Sequence, residues 1–359
     1  MRIAIIYRDF DSNAGDAFDV RSIAINLAQL NNTVEIYCSY NCKNMIEHPN
    51  ITYFRRRYSF LSIIDLHTRR KRIDFAHLFC GYIASLYWIA IYLQLAKTPY
   101  CYSGFGQVSE QGLERSFWKK KLYTLFCLKS ILKHAKFIQV CSIQERNYVM
   151  KIGAKRAVIA PLSLEGYELT ATASSSERSF ITFIGRLDIW QKGLDLFLEV
   201  VKELGPLIKE KGYKVVLAGR SEEASIQYLA SIVDEYQLGE LVNVRVDITE
   251  AEKLTLLNST LIFYHPSRIE GFARSMREAL SMKIPTLTTS GSNIGDTINK
   301  YQVGLSTEFD VDQQVIALKK LLSTESFVGD WNGLFDYLSW SNTANILQSE
   351  YCKHCKACH

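Results

Sequence analysis

Short apolar, β-rich runs alternate with amphipathic stretches from the first residues of the chain: Arg2 to Tyr7, Thr33 to Cys38, Asp74 to Leu78, Tyr100 to Ser103 and Phe137 to Cys141. Strands separated by helical patterns predict a parallel sheet with crossover helices. From Glu168 to Ser179 the chain turns small and polar and loses all period, which marks a linker. The same alternation then restarts. Phe180 to Ile184 reads as a strand, and Leu194, Phe197, Leu198, Val201 and Leu204 recur at the spacing of a helix face that packs on a sheet. Further strands are expected at Lys214 to Ala218, Leu261 to Tyr264 and Pro285 to Thr288. Ser341 followed by Ala344, Leu347 and Tyr351 predicts a capped C-terminal helix.

The pattern therefore divides the 359 residues into an N-terminal Rossmann-like domain (1–166), a linker (167–179), a second Rossmann-like domain (180–328) and a C-terminal crossover helix with a Cys/His tail (329–359). Leu78 to Ala96 is apolar enough to raise a membrane span, but Gly81, Ser85 and Gln94 interrupt it, and a buried crossover helix is the favoured reading. The apolar run after Met1 is too short for a secretory leader. With 48% apolar and 22% charged residues the composition excludes a disordered, collagenous or coiled-coil chain. The net charge of +5 leans weakly towards anionic partners, and nine cysteines without a paired framework predict reduced thiols in a cytoplasmic protein.

In an open α/β sheet ligands lie beyond the carboxyl ends of the strands, so the polar residues just after each strand carry the chemistry. Three strands of the second half end this way. The first runs into Gly185-Arg186-Leu-Asp-Ile-Trp-Gln-Lys192-Gly193, a glycine followed by two cations, which suits a diphosphate. The second ends at Gly219-Arg220. The third ends at His265-Pro266-Ser267-Arg268-Ile269-Glu270-Gly271-Phe272 and is expected to lead directly into a helix whose amides offer an anion site. Glu270 then precedes that helix and Glu278 lies two turns in; eight residues at about 100° each bring both carboxylates to within about 80° of one face. Carboxylates for sugar hydroxyls beside cations for phosphates fit a sugar nucleotide.

These motifs, Gly185-Arg186-Leu187…Lys192-Gly193 and Pro266-Ser267-Arg268-Ile269-Glu270-Gly271-Phe272…Glu278-Ala279-Leu280…Pro285, resemble those of the retaining glycosyltransferases of family four. The resemblance implies the glycosyltransferase-B fold: two doubly wound domains facing a cleft, with the C-terminal helix returning to the first. It implies that Arg186 and Lys192 bind the diphosphate of a UDP-, GDP- or ADP-sugar, that Glu270 binds the transferred sugar and Glu278 the ribose. Gly271 and Phe272 would present amides, and Gly185, Gly219 and Ser267 belong to the same donor site. The implied reaction moves a sugar, with retention and without metal or other cofactor, to a hydroxyl of a glycan or lipid-linked acceptor in cell-surface polysaccharide or glycolipid synthesis.

The first domain matches less closely. Gly15 occupies the family's glycine-rich turn, but Asp16 stands where a second glycine is usual, and Phe105 replaces the expected histidine after Tyr100 to Ser103. His77 is read either as a cleft-facing group or as a buried structural one, and Asn293 is a further cleft candidate. Asp16 and Phe105 motivate the alternative of a non-catalytic sugar-nucleotide-binding subunit. Asp9-Phe10-Asp11 reads as loop carboxylates and Gly104 to Ser109 as an incomplete dinucleotide fingerprint. The tail from Cys352 to His359 has zinc-like spacing but no second ligand group, so reduced thiols are preferred. Trp118 to Lys133 reads as a basic amphipathic helix, which with Arg55-Arg56-Arg57 and Arg69-Arg70-Lys71-Arg72 suggests peripheral contact with an anionic membrane on its inner face; nucleic acid is not an expected partner.

Overall fold

The computed structural model describes residues 1–8, 15–39, 45–57, 61–79, 83–105, 122–166, 178–324 and 327–355. It is α/β throughout and divides into two compact units, residues 1–163 with 337–359, and residues 164–336. The readings placed on Asp9-Phe10-Asp11, on Gly106 to Ser109, on Trp118 to Lys121, on the tail beyond Cys355 and on most of the linker lie outside the described residues.

In the first unit seven strands form one sheet: β1 (Arg2–Ile6), β2 (Thr33–Ser39), β3 (Ile51–Arg56), β4 (Phe75–Phe79), β5 (Tyr100–Ser103), β6 (Phe137–Val140) and β7 (Ala157–Ile159). Their order is β3-β2-β1-β4-β5-β6-β7, with every recorded pairing parallel. The strands between the edges are almost wholly buried and correspondingly apolar, as a parallel sheet covered on both faces requires. The apolar segment that raised a membrane span is the 12-residue helix Ala84–Leu95, which joins β4 to β5 and buries Leu86, Ile89, Ala90 and Leu93. Among the described residues no helix is long and apolar enough to cross a membrane.

The helix Trp340–His354 packs on the helix Gly15–Gln29 and belongs to this first unit. Its cap is Ser339, whose hydroxyl accepts from the Asn342 amide, and not the expected Ser341, which lies inside the helix. Tyr351 reaches from this helix into the sheet core and rests 4.7 Å from the Phe75 ring. Its hydroxyl donates to His77 Nδ1 at 2.5 Å. His77 Nε2 contacts Ser103 Oγ at 2.5 Å, Ser103 donates to Gln139 Oε1 at 2.6 Å, and Gln139 donates to the Ala160 carbonyl at 3.1 Å. Both nitrogens of His77 are satisfied inside a buried chain of hydrogen bonds, so of the two readings of this residue the structural one describes its surroundings. Burial alone holds its pKa well below the ordinary 6.5, and the ring is neutral.

The second unit holds β8 (Phe180–Ile184), β9 (Lys214–Gly219), β10 (Val242–Val246), β11 (Thr260–His265), β12 (Thr286–Thr289) and β13 (Gly304–Thr307). Their order is β10-β9-β8-β11-β12-β13, again with every pairing parallel. The helix Leu194–Glu210 lays Leu194, Phe197, Leu198, Val201, Leu204 and Ile208 into the core beside β8 and β11, the face its sequence spacing predicts. In both sheets the order reverses beside the first strand, and in the second that switch point falls between the carboxyl ends of β8 and β11.

Tyr351→Phe removes the hydroxyl on His77 Nδ1 and leaves a buried acceptor without its donor. It is expected to lower stability by about 1–3 kcal/mol, read from the shift in a urea unfolding midpoint.

Candidate functional site

Two glycines bring the site loops into backbone contact. After β8 the chain makes one helical turn, Ile189–Lys192, capped by the Asp188 carboxylate on the Gln191 amide, and leaves it at Gly193 with φ of 64°. A Cβ there would stand 2.0 Å from the Pro266 carbonyl, so only glycine lets the first loop lie against the third. Gly219, with φ of 146°, closes the end of β9 on β8 in the same manner; its Cβ would meet the Gly185 carbonyl at 1.8 Å. Arg268 reinforces the contact by gripping Asp195 with two hydrogen bonds of 2.9 and 2.6 Å.

A cavity of about 320 Å³ opens where these loops meet. Gly185, Lys192, Glu270 and Glu278 line it, together with Glu250, Lys253, His265, Arg274 and Ser275. Lys192 Nζ and a Glu270 oxygen form an ion pair whose side chains are only 10% and 14% exposed. Burial would raise the Glu270 pKa, but Lys192 and the Gly271 amide bring it below the ordinary 4.5, so the carboxylate is charged. The Glu270 backbone is pinned too: its amide donates to Gly291 and its carbonyl accepts from the Asn293 amide, both at 3.0 Å.

Glu278 lies in the helix Arg274–Ser281 and is 3% exposed. Its Oε1 accepts from Lys253 Nζ at 2.8 Å and Arg274 Nε at 3.0 Å, while Oε2 has no recorded partner. That helix begins four residues after Glu270, with Ala273 at the cap and no side-chain acceptor on its first amides. The helical-wheel argument consequently applies to Glu278 alone; Glu270 is placed by a β-bridge to Ser292. Both carboxylates still reach one cavity.

Other candidates lie elsewhere. Arg186 is half exposed and does not line the cavity; its guanidinium donates to Gln191 Oε1 at 2.6 Å and lies 3.7 Å from Asp188. The Phe272 ring lies under the Arg277 guanidinium at 4.8 Å. Ser267 is buried with its hydroxyl 3.0 Å from His265 Nδ1. In the first unit Gly15 opens the helix Gly15–Gln29, and Phe105, at φ of 45°, packs 5.4 Å from Phe79. Among the described residues there is no group of three or more potential metal ligands. Sequence reasoning missed His265, Lys253 and Arg274. Arg274 had a signal, standing four residues before Glu278 on one helix; Lys253 had none, since β11 and a loop separate it from its partner.

His265 is fully buried between the Phe183 and Phe263 rings, at 4.9 and 5.9 Å. Burial first, and Lys192 second, lower its pKa to about 3. An unfolded chain restores it to near 6.5. The unfolded state therefore takes up the proton first, and the stability this residue contributes is complete above pH 6.5 and is lost as pH falls towards 3. His77 acts in the same direction. Urea midpoints are expected to fall between about pH 6.5 and 4.5, ahead of carboxylate titration, with a shallower slope in His265→Phe; equal slopes would contradict this assignment.

Residues 169–332 match the model of the family described as glycosyl transferases group 1. No curated protein matches the chain. Solved structures match over nearly its full length. Sucrose-phosphate synthase from Thermosynechococcus elongatus shares 17% identity over 98% of this chain and 94% of that one, with a TM-score of 0.65. The lipopolysaccharide outer core galactosyltransferase WaaB, in its apo form, shares 13% identity over 98% and 100%, at 0.69. Anabaena HepE in complex with UDP and glucose shares 11% over 98% and 100%, at 0.65. The likeness, with the two parallel sheets, shows the glycosyltransferase-B fold.

Proposed function

We propose that this chain, whose residues 169–332 belong to the glycosyl transferases group 1 family, transfers a sugar with retention from a nucleoside diphosphate sugar to a hydroxyl of a glycan or lipid-linked acceptor. The observation that carries the reading is the single cavity at the β8/β11 switch point where Lys192, Glu270 and Glu278 meet. HepE, which binds UDP and glucose, shares the fold. On this reading Glu278 Oε2 is the acceptor awaiting a ribose hydroxyl, Glu270 takes hydroxyls of the transferred sugar, and Lys192 meets the diphosphate.

The bond that breaks joins the anomeric carbon to the diphosphate oxygen, and the pair of electrons leaves on that oxygen. Charge grows there, so the protein's task is to place positive potential around it. Lys192, the dipole at the start of the helix Arg274–Ser281, and Arg186 once turned from Gln191 and Asp188 supply that potential, and the reading is metal-independent for this reason. Glu270 is already held by Lys192 and the Gly271 amide, an arrangement suited to binding hydroxyls and not to attack at carbon. The acceptor proton passes to the departing diphosphate on the same face, which gives retention.

The acceptor side rests on the first unit. There Trp88 and Phe126 are 58% and 63% exposed, and Arg55, Arg57, Lys71 and Arg72 are exposed. This supports peripheral contact with an anionic, cytoplasm-facing membrane carrying a lipid-linked acceptor. Part of the basic sequence does other work: Arg69 and Arg2 neutralise the buried Glu35, and Arg56 grips Asp65 with two hydrogen bonds. The charge left for lipid is smaller than the sequence count. The alternative of a non-catalytic sugar-nucleotide-binding subunit draws on Phe105, whose ring packs on Phe79 where the family has a histidine.

Thermal-shift screening with UDP-, GDP- and ADP-sugars is expected to find one that stabilises the chain, by about 2.7 kcal/mol at 100 times its dissociation constant. Released nucleoside diphosphate then separates enzyme from binding subunit, and EDTA is expected to leave the rate unchanged. Lys192→Ala and Arg186→Ala are each expected to cost about 3–4 kcal/mol in kcat/KM; undiminished turnover in either removes that residue from the site. Cosedimentation with vesicles rich in phosphatidylglycerol is expected to exceed that with neutral vesicles and to fall with salt and in Trp88→Ser.

A further inference from the structure

Inside the cavity one polar atom has no partner and no assigned role. His265 is 0% exposed, lines the cavity, and its Nε2 lies 3.8 Å from the point where a Cβ on Gly185 would stand; that nitrogen makes no recorded hydrogen bond. Buried polar groups are nearly always paired, and an exception facing a cavity marks the place of something that binds there.

One arrangement of the hydrogen bonds gives this nitrogen a proton to donate. Ser267 is also 0% exposed, and the only recorded partner of its hydroxyl is His265 Nδ1 at 3.0 Å. A buried hydroxyl must place its proton somewhere. With Ser267 donating to Nδ1, the arrangement that gives its proton a partner, the proton of the neutral ring sits on Nε2. The Phe183 and Phe263 rings stack on the imidazole, and Thr288 Oγ1 holds the His265 carbonyl at 2.8 Å. The result is an uncharged N–H donor, stacked between elements of the sheet core and dry. It lies close enough to Lys192 and Glu270 for each to perturb its ionisation.

We propose that His265 is a donor-binding residue, its Nε2–H donating to a diphosphate oxygen of the nucleotide in the cavity that Lys192 also lines. The inference rests on the sugar-nucleotide reading of this cavity and adds a contact to it. A neutral donor is suited to the position: a second cation beside Lys192 would be repelled in the empty site, whereas an N–H is strong only when an anionic oxygen arrives.

The test compares His265→Asn with His265→Gln. Asn keeps a polar atom near the Nδ1 position for Ser267 but withdraws the donor at Nε2; Gln returns an amide N–H to the Nε2 position. Binding of UDP, GDP and ADP is measured by calorimetry, and thermal unfolding of each variant confirms that it is folded. For the nucleotide that the wild type binds, Asn is expected to weaken the dissociation constant about tenfold, the equivalent of about 1.4 kcal/mol, and Gln to restore most of it. On titration of the wild type with that nucleotide, the ¹⁵N resonance of His265 Nε2 is expected to move while the ring stays in the Nε2–H form. Equal affinity in Asn and wild type, or an Nε2 resonance that does not move on saturation, overturns the role of His265 and leaves the cavity reading standing. Failure of the wild type to bind any of the three overturns both.

Discussion

The ion pair between Lys192 and Glu270 is the constraint on which the second unit turns. Moving two charges out of water costs several kcal/mol per ion, and their attraction seldom returns more than it costs. A pair only 10% and 14% exposed is therefore poor as a stabilising device and expensive to break from one side. Its location explains its presence. Lys192 ends the turn after β8 and Glu270 sits in the loop after β11, so the pair joins the two loops that flank the switch point. Each charge is the counter-ion of the other, and on the proposed function a diphosphate would offer Lys192 a second anion.

That arrangement sets the electrostatics of everything nearby. His265 is denied a proton by burial and by Lys192, so no further positive charge stands beside the Lys192–Glu270 pair from this ring. Glu278, further in, is fixed by Lys253 and Arg274 on one oxygen while the other has no recorded partner. A carboxylate held by one oxygen keeps its second in a set position, so a ligand hydroxyl meets an acceptor whose ordering entropy has already been lost in folding. The cavity thus holds three fixed features: a paired cation, a neutral imidazole and a half-satisfied acceptor.

Much of this was legible in the chain. The interior strands were read to within about two residues, and β5 and β8 coincide with the segments expected. The strands not read were β3, β7, β10 and β13, which are the four edges of the two sheets. An edge strand is short or half exposed and carries charge or glycine, as Ile51–Arg56, Val242–Val246 and Gly304–Thr307 do, so the apolar run that betrays an interior strand is missing. In the site, Gly185, Lys192, Glu270 and Glu278 were legible because strand ends and local spacing point to them. Lys253 was not, because it meets Glu278 only through the packing of two helices. His265 stood in plain view before Pro266, but nothing in sequence distinguishes a buried histidine with both nitrogens satisfied, such as His77, from one with a nitrogen to spare.

Arg186 shows where spacing stops being informative. Its distance from Lys192 along the chain predicts two cations on one phosphate, yet Lys192 is buried and paired while Arg186 is half exposed and rests on Gln191 and Asp188. The two differ in what their binding to an anion would cost. Lys192 has already lost its side-chain freedom and its water, so it can act on the diphosphate at once but must share itself with Glu270. Arg186 keeps water and rotamer freedom, and its exposed contacts are worth about 1 kcal/mol or less, so an arriving phosphate displaces them readily. On the proposed function, a site with one cation built in and one recruited would fill in sequence: the fixed charge draws the anion down, and the mobile one closes over it with a planar fork suited to phosphate oxygens. Release of a product diphosphate would then begin with the weaker grip, so that on this proposal the positive charge that favours bond breaking is withdrawn afterwards.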